Sequence, residues 1–198
     1  MEDKKTVREK IRAMRREIEA EDALYASKSL SELFFEIPDE RISKALSGGT
    51  VALYMPFDGE IDVLPLAKKL MASGVKTAYP QVKDGRLIFR EADASDDTLF
   101  EKGAYGIPEP KEDLPGTEPD LIIVPAVAYN DEGIRLGMGA GYYDRYYKDH
   151  PQALYVGVCY DIQVTSDLPF DEDDMAVDIL IPVDVSYDYD PDDGETAE

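Results

Sequence analysis

Apolar positions near the N-terminus recur at helical spacing. Val7, Ile11, Met14 and Ile18 fall on one stripe of a 3.6-residue helix, so the segment from about Lys4 to Phe35 is predicted helical. Acidic Glu21-Asp22 is predicted to mark a break, with a second helix running from about Ala23 to Glu36 and stopping ahead of Pro38. Lys4, Arg8 and Arg15 lie beside the apolar stripe and Arg12 slightly further round, a basic ridge at the edge of the buried face. Taken alone, such a ridge fits a solvated flank.

Beyond that point the pattern changes to short apolar runs, predicted as strands: Thr50 to Tyr54, Val75 to Pro80, Leu87 to Arg90, Leu121 to Pro125, Ala153 to Val158 and Asp178 to Pro182. The Asp84-Gly85 turn makes the Leu87 strand antiparallel to its predecessor. Helices are predicted from about Ile61 to Ser73, stopped by Gly74, and from Tyr142 to Lys148. The stretch from Asp93 to Lys102 is polar and irregular, and the Pro-, Gly- and acid-rich connection to Pro119 belongs on the surface. Strands alternating with helices predict an α/β fold, a three-layer sandwich with a mostly parallel central sheet and a helical N-terminus. No repeat or long linker divides the chain, so one domain is expected over residues 1–198, with about 184–198 as a frayed tail containing seven acids and no Lys or Arg.

Composition narrows the function classes. A hydrophobic content of 43% suits a globular protein, and the lone Cys159, flanked by Val158 and Tyr160, excludes an internal disulfide and reads as a buried small residue. No apolar segment approaches the ~20 residues of a membrane span, and the N-terminus has no signal-peptide core, so a cytoplasmic address is expected. The net charge of −22 disfavours nucleic acid and anionic membranes as partners. Anionic small molecules would need a local basic pocket. His150, the only histidine, sits where a C-terminal helix dipole favours a cation, and triad chemistry has no other histidine to use.

The chemistry concentrates between Arg135 and Asp144. After the Leu121 to Pro125 strand come Arg135-Leu136-Gly137-Met138-Gly139-Ala140-Gly141-Tyr142-Tyr143-Asp144-Arg145. The glycines alone fit a tight turn as well as a phosphate loop, and the spacing matches neither the P-loop nor the dinucleotide fingerprint. Two flanking arginines suited to phosphate oxygens, a helix start with free N–H groups and Asp144 as a hard oxygen ligand favour a nucleotide-phosphate site with Mg²⁺. Glu60 lies at the C-terminal end of the first strand, where open α/β sheets place ligands; a first-turn acid favoured by the helix dipole fits it equally.

The glycine motif, following an apolar strand that ends Val-Pro, resembles the 5-formyltetrahydrofolate cyclo-ligase family, also called 5,10-methenyltetrahydrofolate synthetases. The resemblance extends from Lys4 to Pro182. It implies ATP- and Mg²⁺-dependent closure of 5-formyltetrahydrofolate to 5,10-methenyltetrahydrofolate with release of ADP and phosphate. By the same resemblance Lys4, Lys5 and Arg8 contact ATP together with Arg135, Leu136, Gly137, Met138, Gly139, Ala140, Gly141, Tyr142 and Tyr143. Met55, Glu60, Met138 and Tyr142 hold the folate, Asp144 and Asp174 hold Mg²⁺, and Arg135, Tyr142 and Asp144 form the catalytic set. Tyr143 fits packing and phosphate contact equally, and Tyr105 is placed to line the cleft.

Two departures stand out. Many bacterial relatives carry a His where this chain has Asp173, and Met138 and Ala140 occupy slots often filled by aromatic and glycine residues. Ala140 would be strained if its slot required positive φ. A monomer acting on small molecules is expected. The rival expectations are a non-catalytic nucleotide or folate binder on the same scaffold, and a sugar-phosphate isomerase-like α/β enzyme that needs a base and no ATP.

Overall fold

The structure, a computed structural model, describes residues 2–185, leaving aside the side chain of Ala104. Most of the expected acidic tail lies outside the described residues. In chain order the elements are α1 (Lys4–Arg16), α2 (Ala20–Glu36), α3 (Glu40–Leu46), β1 (Thr50–Ala52), α4 (Leu64–Ala72), β2 (Lys76–Lys83), β3 (Arg86–Glu91), β4 (Phe100–Lys102), β5 (Pro108–Pro110), β6 (Gly116–Thr117), β7 (Leu121–Val124), β8 (Ala128–Tyr129), β9 (Arg135–Leu136), α5 (Tyr142–Asp149), β10 (Leu154–Tyr160) and β11 (Ile179–Val183). The main sheet has the order β11-β10-β7-β1-β2-β3-β6. Its pairings from β11 to β2 are parallel, while β3 and β6 close one edge antiparallel.

Strand alternation makes two cores. Val51, Leu121 and Ile123 face one side, where Leu30 and Phe34 of α2, Ile42 of α3 and Leu66 and Leu70 of α4 cover them. Ala52, Ile122 and Val124 face the other, under Tyr143 and Tyr146 of α5. This is the expected three-layer arrangement with a mostly parallel sheet. α1 stands apart from the α2 layer: Val7 and Ile11 pack on Val127, Ala128 and Leu136, at the β8–β9 hairpin, and on Leu168.

Several expectations about boundaries need correction. The first break falls at residues 17–19, and Glu21 and Asp22 occupy the first turn of α2, where the helix dipole favours acids. Arg15, 3% exposed, takes the buried position of α1 that periodicity gives to Met14, which is 39% exposed. α3 was not foreseen; Asp39 starts it by accepting from the Arg41 N–H at 2.7 Å. α4 begins at Leu64 rather than Ile61 because Asp62 Oδ1 accepts from the Leu64 N–H and Pro65 sits in the first turn. The β8–β9 hairpin was also missed, and it places Arg135 and Leu136 on a short strand before the glycine loop.

Candidate functional site

The glycine loop joins β9 to α5. Arg135, 7% exposed, donates from Nε to the Pro125 carbonyl at 2.7 Å and brings Nη1 to 3.5 Å from Asp144 Oδ2. Its guanidinium lies 5.0 Å from the Tyr143 ring centroid. Gly137 makes room for it, since a Cβ there would come within 2.5 Å of Arg135 Nη1. Gly139 and Gly141 adopt φ of 107° and 66°. Ala140 is not among the positive-φ residues, so the strain considered for it does not arise. Gly141 precedes α5 without a side-chain cap, which leaves first-turn N–H groups facing outward for an anion.

α1 approaches this loop from the other side. Arg8 Nε donates to the Gly137 carbonyl at 2.8 Å, and Lys4 Nζ lies 2.6 Å from Asp171 Oδ2 and 2.5 Å from Asp174 Oδ2. Burial works against the Lys4 charge, but the two carboxylates outweigh it and hold its pKa above the ordinary 10.5. Asp144 Oδ1 accepts from the Met175 N–H at 3.3 Å, which ties the two expected metal ligands into one corner. Among the described residues, no group of three or more carboxylate, histidine or cysteine side chains converges to hold a metal unaided. Mg²⁺ commonly takes one or two carboxylates, with phosphate oxygens and water completing the shell, and Asp144 with Asp174 matches that donor set. Binding there would require Lys4 to leave Asp174.

On the opposite face of the loop lies a cleft of about 440 Å³. Met55 and Glu60 form one wall, residues 138–143 the other, and Tyr105 and Glu109 stand at its side. Glu60 Oε2 accepts from the Phe57 N–H at 3.1 Å. Burial pushes the Glu60 carboxyl up to about 7, against the pull of Arg15, the Phe57 N–H and Arg135. A larger groove of about 780 Å³ between β3 and α5 is lined by only one of the expected residues, Arg145. Chemistry, rather than size, therefore marks the smaller cleft as the site.

The structure thus brings Met55, Glu60, Arg135, Met138, Tyr142 and Tyr143 together with residues 139–141 around one cleft. Lys4, Arg8, Asp144 and Asp174 gather behind the loop. Lys5 joins neither group: its side chain is 83% exposed, 3.9 Å from Glu9. Leu136 is buried in the α1 contact and can offer only backbone, and Tyr143 is packed beneath Arg135. Arg145 braces the loop instead of facing an anion, donating to the Ala140 and Gly85 carbonyls and lying over Tyr142. His150 Nδ1 sits 3.0 Å from the Tyr146 carbonyl, with its ring stacked on Tyr146, and Cys159 is buried, both as expected. Two contributors were missed. Glu109 accepts from the Val82 N–H at the cleft edge, and Asp58 anchors the Glu60 turn. Asp58-Gly59, a dipeptide that tolerates left-handed backbone, was the available signal for the second.

A glycine loop opening a helix on an α/β sheet, with basic side chains on one side and a largely apolar cleft on the other, fits the class of enzymes that use a nucleotide to act on an organic substrate. Residues 1–182 match the model of the 5-formyltetrahydrofolate cyclo-ligase family, and the chain belongs to that family. It is 34% identical over 145 residues to the Escherichia coli K12 5-formyltetrahydrofolate cyclo-ligase, covering 67% of this chain and 76% of that one. The Haemophilus influenzae cyclo-ligase is 31% identical over 186 residues, covering 88% and 95%. The solution structure of Aquifex aeolicus 5,10-methenyltetrahydrofolate synthetase superposes with a TM-score of 0.76 at 31% identity, covering 98% of this chain and 96% of that one.

Proposed function

We propose that this chain is an ATP-dependent cyclo-ligase that converts 5-formyltetrahydrofolate to 5,10-methenyltetrahydrofolate, releasing ADP and phosphate. The observation that carries this function is the two-sided glycine loop, with Arg8 and Asp144 at its back and Arg135 and Glu60 lining the cleft at its front. The triphosphate lies along the loop amides and first turn of α5, held by Lys4, Arg8 and Arg135. The reduced pterin enters the cleft between Met55 and Tyr142, with its amino edge on Glu60. Asp144 and Asp174 would hold Mg²⁺, which supplies neutralisation of phosphate charge.

With both substrates aligned, the formyl oxygen attacks the γ-phosphorus and the bond to ADP breaks. N10 of the folate then adds to the activated carbon and loses its proton, and the former formyl oxygen departs within inorganic phosphate. Such a sequence needs positioning and charge neutralisation more than a strong base, and the buried arginine and fixed amides supply both. The non-catalytic binder and the isomerase expected as alternatives give way, since the chain belongs to a family of cyclo-ligases. No helix among the described residues is long and apolar enough to cross a membrane; we infer a cytoplasmic monomer of one domain acting on small molecules. The test is direct. Purified protein with ATP, Mg²⁺ and 5-formyltetrahydrofolate is expected to give the near-ultraviolet band of methenylfolate, with one phosphate released for each ring closed. Ring closure without ATP, or phosphate release uncoupled from it, would remove the assignment.

A further inference from the structure

Behind the cleft wall that carries Glu60 lies a charge cluster that none of the chemistry above uses. Residues 57–60 form a tight turn, closed by the Glu60 N–H donating to the Phe57 carbonyl at 3.1 Å. Both central residues are left-handed, Asp58 at φ 51° and Gly59 at φ 74°. Asp tolerates that region better than most residues, but it still needs holding there. α1 does the holding. Arg12 Nε lies 2.6 Å from Asp58 Oδ2, Arg16 Nη2 lies 3.1 Å from Oδ1, and Arg15 Nη2 donates to the Asp58 carbonyl at 2.5 Å. The Arg15 side chain is 1% exposed, 3.5 Å from Asp58 Oδ2, and its Nε has no hydrogen-bond partner.

We infer that Arg15 and Asp58 are positioning residues for the folate subsite, and that α1 ties the acid contacting the pterin to the loop gripping the nucleotide. The inference rests on the proposed role of Glu60. One rigid helix touches both subsites: Arg8 reaches the glycine loop at Gly137, and about one turn later Arg12, then about two turns later Arg15 and Arg16, clamp the turn that aims Glu60. The segment after the turn is fixed by the core, where Ile61 is buried and its carbonyl accepts from the Tyr54 hydroxyl at 2.8 Å, while the arginines grip Asp58 within the turn itself.

The cluster also sets the field at the Glu60 carboxyl. Facing that group are Arg15 from α1, Arg135 from β9, Asp58 from its own turn, and the buried hydroxyls of Tyr54, Tyr129 and Tyr143. Arg15 favours the carboxylate and Asp58 opposes it. Removing one charge or the other must therefore move Glu60 ionisation in opposite directions. A brace with no electrostatic role would leave it in place.

The experiment measures 5-formyltetrahydrofolate binding by calorimetry from about pH 5.5 to 9, alongside the KM for ATP, in wild type, Arg15→Met and Asp58→Asn, with Glu60→Gln as control. The wild type is expected to bind more tightly as pH rises through Glu60 ionisation, and Glu60→Gln to lose that dependence. Arg15→Met should move the midpoint up and weaken folate binding at pH 7, about fivefold for a first unit moved, leaving the KM for ATP within about twofold. Asp58→Asn keeps the shape and left-handed tolerance of the turn. It should move the midpoint down while weakening binding severalfold at high pH, because the arginines lose their anchor. Should Arg15→Met fail to fold, Asp58→Asn alone still decides: an unmoved or raised midpoint overturns the inference. Wild type that turns over normally, with both folded variants unmoved, would remove this inference and leave the proposed function intact. Wild type that binds no folate would remove both.

Discussion

At the scale of single residues, burial makes Glu60 a source of pH dependence near neutrality. Its carboxyl is raised from 4.5 to about 7, chiefly by burial. The sign follows from linkage. The unfolded chain ionises this acid near 4.5 and the native state only near 7, so the stabilisation is full below about pH 4.5 and is lost as pH rises through 7. Glutamine mimics the protonated form. We therefore predict that Glu60→Gln melts at least ~2 °C above wild type at pH 8, with the difference vanishing near pH 4.5, while folate binding weakens. Thermal melts across that range check it; a variant less stable than wild type at pH 8 would show that the carboxylate is already well paired. The acid's assigned pterin role came from the family resemblance, while its place beyond the C-terminal end of the first strand was legible in the sequence. Its environment was not, since Arg15 and Arg135 come from segments 45 and 75 residues away in the chain. Arg15 looked like a residue of a solvated flank, and only the tertiary fold buries it.

At the scale of elements, the glycine loop shows which of its positions the backbone requires. Gly137 is required by a neighbour, the Arg135 guanidinium, and Gly139 and Gly141 by positive φ. Ala140 sits between them without either constraint. We predict that Gly141→Ala destabilises the protein by about 1–3 kcal/mol through left-handed strain. A Cβ there would also stand 2.9 Å from Arg145 Nη1. Gly137→Ala should instead displace Arg135, raising the KM for ATP at least tenfold with a smaller loss of stability. Ala140→Gly should change the KM for ATP little. Melting curves paired with ATP kinetics separate the three, and equal effects at positions 137 and 140 would mean that Arg135 does not depend on the gap. The loop and the helix after it were readable from strand, glycines and helix order alone. The β8–β9 hairpin between β7 and the loop was not, because two-residue strands leave no periodic signature. α3 escaped for a similar reason, being only seven residues long behind Pro38.

At the scale of the molecule, composition poses a conflict that the fold resolves. A net charge of −22 should repel both ATP and folate, yet seven of the 21 Lys and Arg residues fall within the thirteen residues of α1, with only one acid among them. α1 lies against the back of the glycine loop through Arg8 and against the turn that carries Glu60 through Arg12, Arg15 and Arg16. Attraction is therefore short in range and repulsion long. At ~0.01 M salt the Debye length is ~30 Å, and an incoming triphosphate feels the whole acidic surface; at ~0.1 M it is ~10 Å, and mainly the nearby cations remain. Most nucleotide sites on basic proteins lose association rate steadily as salt is added, because steering fades. This one should behave the other way at first. We predict that the association rate of ATP rises severalfold between ~0.01 and ~0.1 M KCl and falls only beyond it, once contacts to Lys4 and Arg8 are themselves screened. Stopped-flow binding of a fluorescent ATP analogue measures this directly. A monotonic fall from the lowest salt would mean that the field of α1 reaches beyond the acidic surface, and that the net charge has no bearing on how the nucleotide arrives.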